Sequence, residues 1–333
     1  MLDSLDRFYQ QVCETTLRET FSKKEIRTNL HMLLGNFSHD FSHHRVKKIE
    51  EVALADYKRE KFLLWFDNEP LAVPVYILTP KKPKREMVPG VMALHGHGYG
   101  VCEIVGLTRV GKEDELFNGS HRHFAVSLVK QGMKVIAPEI IGYGERMLTI
   151  DKKGDKKNSC YKLATAFLMK GQTLAGYRIA ETAKVMRWFS AHYQVDERQL
   201  GIMGFSGGAL IAGYLAVIES YIKATVLTGF TNTFKQSILA REHCLDNYIP
   251  GILTIGELPK LLAALCPRYL HVEAGRKDHL FPEKGVKGAV SYLTQIYEKE
   301  RVGNNFTSHF FDGGHEVCGE KAFTWLSDVL MRE

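Results

Sequence analysis

The chain has 333 residues, 45% of them apolar and 25% charged, with a formal net charge of +6. That length and apolar share allow a large buried core and exclude a disordered or collagen-like chain. The positive excess is too thin for a nucleic-acid-binding signature. The densest basic runs, Lys81 to Arg85 and Lys152 to Lys157, hold Pro in the first case and Gly and Asp in the second, so both read as solvated loops. Residues 1–50 read as helical, from Leu5, Phe8, Tyr9 and Val12 and then Leu30, Leu33 and Leu34, so that 1–55 form a helical lead-in to a main domain over 56–333. Residues 57–79 predict two strands around Asp67-Asn68-Glu69-Pro70. From there short apolar strands alternate with longer helical segments. The strands are Val88–Leu94, Lys134–Pro138, Leu200–Gly204, Ala224–Thr228, Tyr269–Glu273 and Phe306–Phe311; the helices are Ser120–Gln131, Leu174–His192, Gly208–Ile218, Gly285–Lys299 and Glu316–Met331. This alternation predicts an α/β fold: a mostly parallel twisted sheet with helices on both faces and the opening hairpin as an antiparallel N-terminal edge. Two stretches, 141–173 and 229–268, are too long to be simple connections and are expected to shape a pocket.

The six cysteines, Cys13, Cys102, Cys160, Cys244, Cys266 and Cys318, form no C-x-x-C pair, and His315 with Cys318 lacks a second ligand pair, so no metal site is expected. Scattered cysteines in a chain of this size predict reduced thiols. The N-terminus opens Met1-Leu2-Asp3-Ser4-Leu5-Asp6, without the basic and apolar regions of a signal peptide, and a cytoplasmic location is the expectation. Residues 200–218 carry no charge, long enough to suggest a membrane span. Five glycines and a serine interrupt them, and a strand, a tight turn and a helix laid end to end account for the stretch without a membrane.

Gly204-Phe205-Ser206-Gly207-Gly208 is a G-x-S-x-G pentapeptide. Chance supplies roughly one in ten chains of this composition with such a match. Its context raises the signal: the apolar strand Leu200–Met203 runs into it and the small-residue helix from Ala209 runs out of it, the setting of a nucleophile elbow. A serine hydroxyl needs a base in hydrogen-bond reach, and the base needs an acid to hold its tautomer. Asp278 follows the strand Tyr269–Glu273, and His315 follows the strand Phe306–Phe311 on Asp312-Gly313-Gly314. The order Ser206, Asp278, His315 is that expected of this arrangement, with Glu273 and Asp312 competing for the acid. Backbone N–H groups must also receive the oxyanion. Gly207 supplies one, and in the Gly-rich loop His95-Gly96-His97-Gly98-Tyr99-Gly100 the N–H of His97 supplies the second, with Gly98 behind it. That loop matches neither a dinucleotide fingerprint nor a P-loop, so no cofactor is expected. His39, His43 and His44 include an i,i+4 pair on an expected helix, for which a surface role outweighs a metal. His121 and His123 are expected to open a helix beside the pocket, with a structural role.

These motifs resemble the α/β-hydrolase superfamily. Within it the chain is similar to the branch of dienelactone hydrolases and acetyl (xylan) esterases, including prolyl-oligopeptidase-like esterases without a propeller. Leu94 to Gly98, Gly142-Tyr143-Gly144-Glu145-Arg146, Val195 to Arg198, Asp246 to Gly251, Gly275 to Pro282 and Gly313 to His315 carry the resemblance, which runs from about residue 56 to the end. It implies a serine hydrolase that cleaves carboxylic esters of small molecules through an acyl-enzyme, with no metal or organic cofactor and no nucleic-acid or membrane partner; a homo-oligomer is compatible with it. The alternatives are a peptidase acting on small peptides and a non-catalytic binding protein on the same fold. One departure stands out: such esterases often carry Met or Gln after the nucleophile, where this chain has Gly207, and a wider or more flexible oxyanion corner is the expectation.

Overall fold

The apolar runs that read as buried strands form the middle of one nine-stranded sheet in the computed structural model, which describes residues 4–14, 21–67, 69–83, 87–116 and 119–332. In chain order the elements are α1 (Ser4–Cys13), α2 (Lys23–Leu34), β1 (His44–Ala53), β2 (Tyr57–Phe66), β3 (Val73–Pro80), β4 (Val88–Leu94), α3 (Phe124–Lys130), β5 (Lys134–Pro138), α4 (Thr149–Lys153) and α5 (Cys160–Met169). They continue with α6 (Leu174–His192), β6 (Val195–Phe205), α7 (Gly207–Ile218), β7 (Ala224–Thr228), α8 (Leu258–Leu262), β8 (Tyr269–Gly275), α9 (Glu283–Lys299), β9 (Phe306–Phe311) and α10 (Ala322–Met331). The sheet order is β1-β2-β3-β5-β4-β6-β7-β8-β9. β5 through β9 pair in parallel, and β1, β2 and β3 form the antiparallel edge.

Alternation along the parallel strands divides the core in two, as the two-residue side-chain period requires. Met92, Ile136 and Ile202 face a layer built from α2, α5, α6, α7, α8 and α9. Val91, Val135 and Met203 face the opposite layer of α3 and α10. Helices therefore cover both faces, as the sequence predicts. The order in which strands are added reverses around β4, with β5 on one side and β6 on the other, so the loops after β4 and β6 flank a crevice at the carboxyl ends of the strands. Ligand sites in open α/β sheets sit at such a switch point.

The lead-in is not helical throughout. α2 is well specified: Ser22 and Glu25 form a reciprocal capping box, Gly35 ends the helix at φ 115°, and Ile26, Leu30 and Leu34 are buried on the first layer. Residues 44–53, however, form β1, which the sequence reading places in the helical segment. Val46, Ile49 and Val52 are spaced in threes like a helix face, and as an edge strand β1 is exposed along almost its whole length, so burial imposes no alternation on it. Lys47, Lys48, Glu50 and Glu51 charge this edge, which discourages further strand pairing. Residues 36–43 are irregular, so His39 and His43 do not share a helix face; His39 Nδ1 instead lies 2.6 Å from Glu219 Oε1.

Two helices also begin later than expected. α3 starts at Phe124 because Arg122 and His123 both adopt φ 46°, and α10 starts at Ala322 because residues 312–321 form the loop that carries His315. Residues 81–83 and 154–157 are outside regular elements, as expected, but Lys152 and Lys153 close α4, so the second basic run is a loop only in part; Lys84 and Arg85 lie outside the described residues. Among the described residues no single helix is long and apolar enough to cross a membrane, and 200–218 divide into β6, a turn and α7.

Candidate active site

Ser206 sits where β6 turns into α7, at φ 54° and ψ −119°. A non-glycine residue in that region is strained by about 1–3 kcal/mol, and its neighbours must enforce it. They do so by close approach. A Cβ on Gly208 would lie 2.1 Å from the Leu94 carbonyl oxygen, and one on Gly204 would lie 2.2 Å from the Gly208 carbonyl oxygen. Only glycine lets the strand, the helix and the end of β4 meet this tightly. The Ser206 N–H donates to Thr228 O at 2.9 Å, which leaves the hydroxyl as the group the turn presents.

His315 Nε2 lies 2.8 Å from Ser206 Oγ, and its Nδ1 lies 2.7 Å from Asp278 Oδ2. One tautomer satisfies both: Nδ1–H donates to Asp278, and Nε2 accepts from the serine hydroxyl. The imidazole lies between aromatic rings, Phe205 at 4.8 Å and Phe281 stacked at 5.7 Å between ring centres. Asp278 is held from its other side, since Oδ1 accepts the N–H groups of Leu280 (2.8 Å) and Phe281 (3.0 Å). The structure thus brings the three predicted residues into one hydrogen-bonded line. The two rival acids are engaged elsewhere. Asp312 is exposed and pairs with Lys277 at 2.8 Å. Glu273 is buried, which raises its pKa, and it accepts the N–H groups of Cys318 and Gly319 and the Thr228 hydroxyl.

The loop after β4 runs against the elbow. Its Gly96 N–H is taken by His121 Nε2 at 2.9 Å. The N–H groups of His97 and Gly207 have no protein acceptor among the described residues, so both predicted oxyanion donors are available. The corner at Gly207 is not wider, as the missing side chain suggested. A Cβ there would come within 3.0 Å of His97 Nδ1, so the imidazole of His97 fills the space.

His121 holds the loop in place. Its Nε2 accepts from Gly96 and its Nδ1 lies 2.7 Å from Glu103 Oε2, so the ring is neutral with its proton on Nδ1. Burial pushes the His121 pKa below the ordinary histidine value. Burial alone would raise Glu103, yet the His121 and Tyr99 N–H groups hold its pKa below normal. The sequence reading singles out His121 but not Glu103; a glutamate in an apolar stretch, followed by a histidine before a helix, was the available signal. A cleft of about 620 Å³ opens beside this loop, lined by His97, Tyr99, Arg109 and Ser120 and, from the first insertion, by Lys156 and Asn158. From the second insertion Asp246 reaches His97, and His243 packs its ring 5.4 Å from Phe281. Both insertions therefore border the site.

A strand-turn-helix elbow, a serine–histidine–aspartate line across the carboxyl ends of β6, β8 and β9, and a facing loop that leaves the His97 N–H open define an α/β-hydrolase. The chain belongs to the abhydrolase family, whose model matches residues 1–291. It is 24% identical over 306 residues to the protein named "Putative hydrolase YtaP" of Bacillus subtilis (strain 168), covering 86% of this chain and 94% of that one. Among solved structures it superposes on a "putative acetyl xylan esterase" of Bacteroides fragilis with a TM-score of 0.76 at 17% identity, covering 93% of this chain and 83% of that one. A glucuronoyl esterase of Solibacter usitatus gives 0.68 at 14% identity, covering 96% and 93%. Identities of this size speak to the fold and leave the substrate to the site itself.

Proposed function

We propose that the protein is a serine hydrolase of carboxylic esters of small molecules, acting through an acyl-enzyme on Ser206. The observation that carries this reading is the pair of short hydrogen bonds from Ser206 through His315 to Asp278. His315 Nε2 takes the hydroxyl proton as Ser206 Oγ attacks the ester carbonyl, and Asp278 stabilises the imidazolium that forms. The His97 and Gly207 N–H groups receive the developing oxyanion; removing one such donor typically costs about 3 kcal/mol of barrier lowering. His315 then protonates the departing alcohol, and a water it activates resolves the acyl-enzyme. The cleft beside His97 has the volume of a small-molecule site.

A fluorophosphonate probe tests the reading directly. Mass spectrometry should find the label on Ser206 in the folded protein and nowhere in Ser206→Ala, and an aryl acetate should be hydrolysed by the first and not the second. An unlabelled Ser206 in folded protein sinks the proposal. Hydrolysis of aminoacyl arylamides in preference to aryl esters turns it toward the peptidase.

A further inference from the structure

Beside the loop that carries His97, but outside the Ser206–His315–Asp278 line, four side chains from three separate segments converge. His97 comes from the loop after β4, Cys160 from the first turn of α5, and Cys244 and Asp246 from the second insertion. One atom from each, a ring nitrogen, two sulfurs and a carboxylate oxygen, all lie within 4.8 Å of one another. Cys160 and Asp246 are buried, and Cys244 is partly so. His97 Nε2 is itself buried, faces Asp246 Oδ2 at 3.4 Å and makes no hydrogen bond of good geometry. A second group of this kind, Glu273, His309 and Cys318, brings together three donors rather than four.

We propose that His97, Cys160, Cys244 and Asp246 form a structural site for a divalent transition-metal cation of the zinc class. Two thiolates, an imidazole and a carboxylate are a donor set zinc takes. Tetrahedral bonds of about 2.3 Å to sulfur and 2.0 Å to nitrogen or oxygen place neighbouring ligand atoms roughly 3.3–3.8 Å apart; His97 Nε2 and Asp246 Oδ2 already stand at 3.4 Å, and the four atoms, grouped within 4.8 Å, need to close by at most about 1 Å. The charges balance as well. In their metal-binding forms the four ligands carry three negative charges and Arg178 one positive, so a divalent cation leaves the cluster neutral. Arg178 is suited to an outer role: Nη1 lies 2.5 Å from Asp246 Oδ2 and Nη2 lies 3.1 Å from Cys160 Sγ, while Nε and Nη2 donate to the Ile141 carbonyl. Such partners orient ligands without occupying the metal. Four protein ligands leave no open position, which marks the site as structural rather than catalytic. The cation ties the first insertion, the second insertion and the oxyanion loop to one point.

The test uses the full chain, purified under reducing conditions, stripped with a chelator and dialysed against Zn²⁺ or Co²⁺ alone. The wild type should retain about one metal per chain. Its cobalt form should show a thiolate charge-transfer band in the near ultraviolet together with tetrahedral visible absorption. Cys244→Ser should lower zinc affinity by at least tenfold, and zinc should raise the melting temperature of the wild type but not of Cys160→Ala/Cys244→Ser. The wild-type cobalt spectrum decides the matter even if a variant does not fold: no thiolate band overturns the proposal. So does metal uptake unchanged in the double variant. So does an intact mass short by two hydrogens, from a Cys160–Cys244 disulfide, in a chain that takes no metal after reduction. Ser206 labelling measured on the same preparation keeps the two readings separate, since labelled serine without bound metal refutes only this site.

Discussion

Asp278→Asn isolates the role of the acid with little change of shape. Asp278 uses Oδ1 for the Leu280 and Phe281 N–H groups and Oδ2 for His315. An asparagine keeps the first pair by presenting its carbonyl oxygen to them. Its NH₂ then faces His315 Nδ1, which must become an acceptor, and the ring proton moves to Nε2. Nε2–H then points a donor at Ser206 Oγ, 2.8 Å away, and the base is lost. The same tautomer reversal in a serine-histidine-aspartate site lowers kcat about 10⁴-fold, which is about 5 kcal/mol of barrier. The fold should hardly notice, because both backbone bonds survive, so the urea-unfolding free energy should move by less than about 1 kcal/mol. The assay is steady-state hydrolysis of an aryl acetate beside equilibrium unfolding of the same preparation, with Asp312→Asn as a control expected to keep nearly full activity. A kcat within tenfold of wild type in a folded Asp278→Asn protein would refute the assignment. So would a collapse of kcat in Asp312→Asn.

His121→Phe keeps a ring in the pocket but removes the acceptor for the buried Gly96 N–H, which should cost about 1–3 kcal/mol in unfolding free energy. If His121 positions the oxyanion loop, kcat should also fall while KM changes little; a loss of stability with kcat intact assigns it a structural role alone. Burial holds the His271 pKa down at about 4, helped by the nearby His309 and Lys321 charges, while its Nδ1 bonds Thr307 Oγ1 and its ring packs on Trp325. Because the folded form disfavours the proton, its contribution to stability is full above the unfolded value near 6.5 and is lost as pH falls toward 4, by roughly 3 kcal/mol. The stability gap between wild type and His271→Gln should shrink by that amount between pH 7 and pH 4, and a gap independent of pH contradicts the burial argument.

Much of the site could be read in the sequence because its parts are local. An apolar strand, G-x-S-x-G and a small-residue helix are contiguous, and the glycines are required by contacts within that same turn, so Ser206 and its elbow follow from the pattern alone. Asp278 and His315 were legible as loop residues just past strands, since a parallel sheet places all such ends on one side. The sequence favours Asp278 by its place just past β8 but leaves Glu273 and Asp312 as competitors. Three acids lie near strand ends, and only packing shows that one is buried against His315, one capped by backbone N–H groups and one facing solvent beside Lys277. β1 escaped because an exposed edge strand has no buried face to impose a period. His97, Cys160, Cys244 and Asp246 share no spacing that a sequence rule could detect. Two insertions and the loop after β4 fold over the same end of the sheet and bring them together, so that a cluster of donors exists only in three dimensions.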